Sequence, residues 1–148
     1  KDSLVREAVE REDRFSLFDY KTDKVDLVFF APVKGILTES YNVKEKHYAV
    51  DIAVPKGTAV KAVADGTAVF SAWTAGTGYV VIIEHTNKYL SVYKHNEIIY
   101  REQGDLIKSG EVIALAGTSG EYSTGPHLHF EMWFQGYPVN PENFIEFE

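Results

Sequence analysis

Cysteine is absent from the 148 residues. This excludes disulfides and thiolate metal sites, and leaves His, Asp and Glu to build any transition-metal centre. Basic residues are also few, with 15 Lys and Arg against 22 Asp and Glu and a net charge of −7. That balance argues against a nucleic-acid surface, which needs clustered Lys and Arg to displace counterions. No apolar run approaches the ~20 residues of a membrane-spanning helix; among the longest is Tyr79 to Ile83. The chain opens on Lys1 instead of Met and without a signal-peptide pattern. The expectation is a processed form or a piece of a longer protein, whose localisation cannot be read from targeting signals. At this length a single domain can bury roughly 70% of the surface its unfolded chain exposes.

From Lys1 to Phe18, Leu4, Val5, Ala8 and Val9 recur at helical spacing among charged residues, which predicts a short helix with a narrow apolar stripe. Asp19 to Lys24 forms a polar connector, and Val25 to Phe30 reads as a strand or extended lead-in. Residues 1–30 are therefore set apart from a domain over 31–148. From Gly35 onward, short apolar segments alternate with turn residues, predicting an all-β, mainly antiparallel domain. Asp65-Gly66 predicts a two-residue hairpin between Val60–Ala64 and Thr67–Phe70. Gly76-Thr77-Gly78 precedes the buried-looking Tyr79–Ile83, and Asn87-Lys88 turns the chain into a strand from Tyr89 to His95. Gly104-Asp105 and Ser109-Gly110 bracket another short segment before a strand from Glu111 to Ala116. Pro138 and Pro141 bar a central strand near the C-terminus.

The chemistry concentrates in Gly125-Pro126-His127-Leu128-His129-Phe130-Glu131. On a strand, His127 and His129 share a face with Cα atoms about 7 Å apart, a span that one metal ion can bridge. One imidazole can also bind the metal while the other meets a water or substrate. Leu128 and Phe130 point the opposite way, toward a core. Taken alone, such a pair is also compatible with two half-exposed histidines that share no task.

His47 and Asp51 form a second stretch. Val50, Ile52 and Val54 alternate before Pro55, so Asp51 belongs near the start of a strand instead of on a helix. In a straight strand the two residues would lie ~13 Å apart. If both are ligands, the chain must bend around Tyr48 and Ala49. Two imidazoles and one carboxylate would give zinc three protein ligands and leave a fourth position for water. His95, ending the Tyr89 strand, is a further member, and spacing leaves open which histidines bind the metal.

In this order, H-x-x-x-D, Y-x-H and G-P-H-L-H-F-E resemble the pattern of the LytM-type, lysostaphin-like zinc metallopeptidases. The resemblance runs from about Ala31 to Phe147 and includes Gly57–Ala62, Gly104–Glu111 and Val139-Asn140-Pro141. It implies a barrel-sandwich-like metallopeptidase fold with one Zn2+ per chain, held by His47, Asp51 and His129, with His95 and His127 as catalytic histidines beside it. Glu131 is a candidate partner fixing an imidazole tautomer. The implied reaction is hydrolysis of amide bonds in the peptide stems or cross-links of bacterial peptidoglycan, in the periplasm or cell envelope. The implied partners are peptidoglycan peptides and a protein regulator. An upstream membrane anchor is compatible with this reading. The chain departs from the family in carrying Ala49 where glycine is usual, and in lacking an arginine before His47. Tyr41 reads as an aromatic packed under a loop, His85 as a strand-end histidine, and Ser123 and Thr124 as groove or turn residues.

Two other classes compete with the enzyme. A LytM-like domain can serve as an inactive regulatory or binding module of a cell-wall hydrolase assembly, but members of that kind typically lack some zinc ligands, and the set here is complete. The glycine-bounded hairpins also resemble biotinyl and lipoyl carrier domains, whose modified lysine Asp65-Gly66 does not supply.

Overall fold

Alternating β-branched and aromatic residues between turn residues build ten strands among the described residues. The structure, a computed structural model, describes Val5, residues 27–118 and residues 125–148. The strands are β1 (Ile36–Glu39), β2 (Val50–Ala53), β3 (Ala59–Lys61), β4 (Gly66–Thr74), β5 (Gly78–Glu84), β6 (Tyr89–Ile99), β7 (Leu106–Ile107), β8 (Val112–Ala116), β9 (His127–Phe134) and β10 (Tyr137–Val139). All the pairings are antiparallel. The main path runs β1-β2-β9-β6-β5-β4-β7, while β8 bridges β6 to β3 and β10 extends β9. The all-β, mainly antiparallel expectation holds.

One apolar cluster collects Val50, Ile52, Val60, Ala68, Val81, Tyr93, Ile107, Ile113, Leu128 and Phe130, drawing on eight strands. The sheet thus wraps around this core. A second cluster joins Val5, Val69, Val80, Ile82, Leu90, Val92 and Trp133. Successive β5 residues fall in alternate clusters, so β5 is buried on both faces, as its continuous apolar run requires. Val5 is helical and fully buried. The rest of the expected Lys1–Phe18 helix and the Asp19–Lys24 connector lie outside the described residues. Residues 27–30 form no strand; Phe30 instead donates its N–H to the Val63 carbonyl.

Turn chemistry is legible at most joints. Asn87 and Lys88 take φ of 58° and 64°, turning β5 into β6. Pro138 lies in β10, whose only partner among the described residues is β9, so its missing donor costs no ladder bond in a central strand. The expected hairpin at Asp65-Gly66 does not form. β3 pairs with β8, and β4 pairs with β5 and β7. Neither Asp65 nor Gly66 has the positive φ that a tight hairpin of this kind needs. The reason is long-range pairing: the Asp65 side chain accepts from the Ser109 N–H at 2.7 Å and its carbonyl from His85 Nδ1 at 2.7 Å. Gly66 is required by close approach, since a Cβ there would lie 2.4 Å from the Glu84 carbonyl oxygen. Asp65-Gly66 is therefore an internal joint.

Candidate metal centre and comparisons

The H-x-H strand lies between β2 and β6, and the register sets the site. Asp51 of β2 pairs with His129 of β9, Ala53 pairs with His127, and Lys94 of β6 faces His129 from the other side. His127, His129 and Glu131 thus share one face, while Leu128 and Phe130 enter the main core.

His47 reaches this face through the predicted bend. A tight turn closes over residues 42–47 with paired backbone bonds between Asn42 and His47, and Lys46 takes φ 56°. The chain bends at Ala49 before β2 begins. Ala49 is 1% exposed and does not have positive φ, so alanine is accommodated at this bend. The bend brings His47 Nε2 to 3.1 Å from Asp51 Oδ2, a contact that a straight strand, with Cα atoms four residues apart separated by ~13 Å, does not favour.

Hydrogen bonds set the imidazole orientations. His47 Nδ1 donates to the Ser40 carbonyl at 2.9 Å, directing Nε2 at Asp51 and at Glu39 Oε2, also 3.1 Å away. His129 Nε2 lies 2.7 Å from Glu131 Oε2, and its Nδ1 lies 3.0 Å from Asp51 Oδ1. Asp51 therefore holds one carboxylate oxygen against a ring nitrogen of each histidine. Carboxylates only accept, so these contacts call for a cation or a proton between oxygen and nitrogen. Ligand atoms of His47, Asp51 and His129 all lie within 4.8 Å of one another. This N, O, N donor set with spare coordination suits zinc.

The electrostatics follow from burial and pairing. Burial raises the Asp51 pKa, but the hydrogen bond from His129 and the nearby histidines outweigh it, leaving the carboxyl below its ordinary range. Burial likewise opposes ionisation of Glu131, yet His129 and Lys94 bring its pKa down to about 2. For His129, burial disfavours the charged ring, and hydrogen bonds to Asp51 and Glu131 reverse this and raise its pKa.

His95 and His127 flank this cluster. Tyr79 pairs with Asn96 and Val81 with Tyr93, leaving an extra residue on β6. His95 occupies that bulge at φ 67°. There β6 stops pairing with β9 at Lys94 and takes up β8 from Asn96. The His95 ring centroid lies 5.1 Å from that of His127 and 5.8 Å from that of His129. Gly117 ties the two backbones together, donating to the His95 carbonyl and accepting from the His127 N–H. A Cβ on Gly117 would come within 2.7 Å of Glu97 Cβ. His127 Nδ1 donates to the Gly125 carbonyl at 2.7 Å, which makes Nε2 the basic nitrogen of the neutral ring.

Tyr41 is half-buried against the main core and donates to the Pro138 carbonyl at 3.3 Å. His85 is buried and accepts at Nε2 from Ser91 Oγ at 2.7 Å, with Tyr93 OH 2.8 Å further along. Burial pushes its pKa down to about 4. Ser123 and Thr124 lie outside the described residues. The sequence did not single out Glu39, Lys94 or the role of His85. For Lys94 the available signal was a lysine inside an apolar strand, one residue from a candidate histidine.

The chain matches Peptidase family M23 over residues 45–141. It is 43% identical over 95 residues to the DD-carboxypeptidase/endopeptidase Mpg of Neisseria meningitidis, a match covering 64% of this chain and 22% of that protein. It is 38% identical over 117 residues to the murein hydrolase activator NlpD of Escherichia coli, covering 77% of this chain and 30% of that one. The chain thus spans less than a third of the length of these relatives. Among solved structures, a zinc-containing peptidase from Vibrio cholerae superposes with a TM-score of 0.73 at 34% identity, over 76% of this chain and 39% of that one. The catalytic domain of lysostaphin from Staphylococcus simulans gives 0.63 at 28% identity, over 78% and 87%. The match over residues 45–141 includes the entire His47, Asp51, His95, His127 and His129 constellation, and this chain belongs to peptidase family M23.

Proposed function

We propose that this chain is a zinc endopeptidase that hydrolyses amide bonds in the peptide stems or cross-links of bacterial peptidoglycan, acting outside the cytoplasm. One observation carries the reading: ligand atoms of His47, Asp51 and His129 lie within 4.8 Å of one another, with two further imidazoles, His95 and His127, beside them. His47 and His129 would present Nε2 and Nδ1 to the ion, and Asp51 a carboxylate oxygen. Bound there, zinc supplies a Lewis acid for the scissile carbonyl and an acidified water. His127, with Nδ1 committed to Gly125, accepts a proton at Nε2 and returns it to the leaving amine. His95, held by the bulge, donates toward the oxygen that gains charge as the carbonyl is attacked.

The relatives named as a DD-carboxypeptidase/endopeptidase and a murein hydrolase activator support an envelope setting and a protein regulator as partner. The similarity to activators also supports a second reading, a non-catalytic regulatory module. The complete donor set favours the enzyme. The test is zinc content per chain, followed by digestion of purified cell-wall peptides with mass analysis of the products. About one zinc and discrete amide cleavage support the proposal. Bound zinc without cleavage, together with stimulation of a separate hydrolase, would favour the activator.

A further inference from the structure

Asp51, His129 and Lys94 form one rung across β2, β9 and β6. Lys94 is 2% exposed, and its Nζ lies 2.8 Å from Glu131 Oε2, the same oxygen that meets His129 Nε2 at 2.7 Å. The other carboxylate oxygen accepts from Trp133 Nε1 at 2.9 Å. Trp133 packs into the second apolar cluster with Val80, Val92 and Leu90. Glu131 is thus held by three donors, one of them a lysine in the middle of the sheet. Burying such a pair contributes little to stability compared with an apolar pair of similar volume. Its placement directly behind the metal-facing histidine supplies another reason for it.

We propose that Lys94 is a positioning residue of the metal centre: acting through Glu131, it holds the His129 ring with Nε2–H on the carboxylate and Nδ1 toward Asp51 and His47. The inference rests on the reading of His129 as a metal ligand. Without the ammonium, the Glu131 carboxylate loses one of its three anchors and the imidazole loses its fixed backing. Partners of this kind set ligand orientation, and their removal weakens metal binding by about 10–100-fold.

The test compares the wild-type chain with Lys94→Met, Glu131→Gln and the double variant. Zinc affinity is read by chelator competition, and the His129 ring by 15N NMR. Removing a positive charge near a cation would by itself tighten zinc binding, whereas loss of positioning weakens it. The expected result is about tenfold or greater weakening in Lys94→Met, with His129 ring signals that no longer report a single Nε2–H tautomer. Because Lys94 acts through Glu131, the double variant should bind zinc no more weakly than Glu131→Gln alone. The double variant also removes both buried charges, so it keeps the test open if the single lysine variant fails to fold. Unchanged or tighter zinc binding in Lys94→Met, unaltered ring signals, or additive losses in the double variant would overturn the role of Lys94 while leaving the metal site intact. Absence of zinc from the wild-type chain would instead overturn the metal-site reading, and this role with it.

Discussion

Asp51 and His129 stand opposite each other in the β2–β9 ladder, with Oδ1 3.0 Å from Nδ1, while the second Asp51 oxygen reaches His47. Two residues 78 positions apart thereby become one side of the candidate metal centre. His47, only four positions from Asp51, needs a bend to join them.

On the proposed function, this arrangement separates metal ligands from catalytic groups. Asp51→Asn and His129→Ala should each lose zinc and hydrolysis together. His95→Ala and His127→Ala should retain about one zinc per chain while hydrolysis falls roughly 10²–10⁴-fold, the range for loss of a proton-transfer group. Elemental analysis beside a peptide-cleavage assay checks the split. An active His95→Ala protein would remove that residue from the mechanism.

Glu39 and Asp51 both approach His47 Nε2 at 3.1 Å, but Glu39 is 57% exposed and Asp51 only 18%. A solvated, rotatable carboxylate contributes little beside a buried one. Zinc affinity in Glu39→Gln is therefore expected to fall by less than about tenfold, and in Asp51→Asn by more than about a hundredfold. Chelator competition on both variants gives the comparison, and equal losses would make Glu39 a full ligand.

His85 predicts a pH-dependent loss of stability. Its pKa falls from the ordinary 6.5 to about 4 on folding, because burial disfavours the charged ring. The unfolded chain therefore binds the proton first. Stability is fully present above about pH 6.5 and declines as pH falls toward 4, by roughly 3 kcal/mol from this group. Denaturant unfolding at pH 7 and pH 4 should show that decline in the wild type. Most of it should vanish in His85→Gln, and an unchanged decline would exclude His85 as its source.

Ala49 is buried and outside the left-handed region, so glycine there would add unfolded-state freedom without relieving strain. Ala49→Gly should destabilise the chain by about 1 kcal/mol and leave zinc stoichiometry unchanged. Thermal unfolding with metal analysis tests both. A stabilised variant would show that Ala49 strains the bend.

The amino-acid sequence by itself determined the donor chemistry and the strand class. Without cysteine only imidazoles and carboxylates were available, period-two alternation placed His127 and His129 on one face, and paired turn residues such as Asn87-Lys88 marked the local reversals. These are properties of neighbouring residues, legible over a few positions. Tertiary structure decided what depends on distant partners. Asp65-Gly66 carries a hairpin signal, yet β3 finds β8 and β4 finds β5 and β7, because ladder bonds and core burial across the sheet outweigh a turn preference. The same long-range register put Lys94 beside His129, let Glu131 join them, and enclosed His85 between Asp65 and Ser91. A buried lysine is readable as an ion-pair partner only once the opposite strand is known, since its side chain is held in place by a carboxylate 37 positions away.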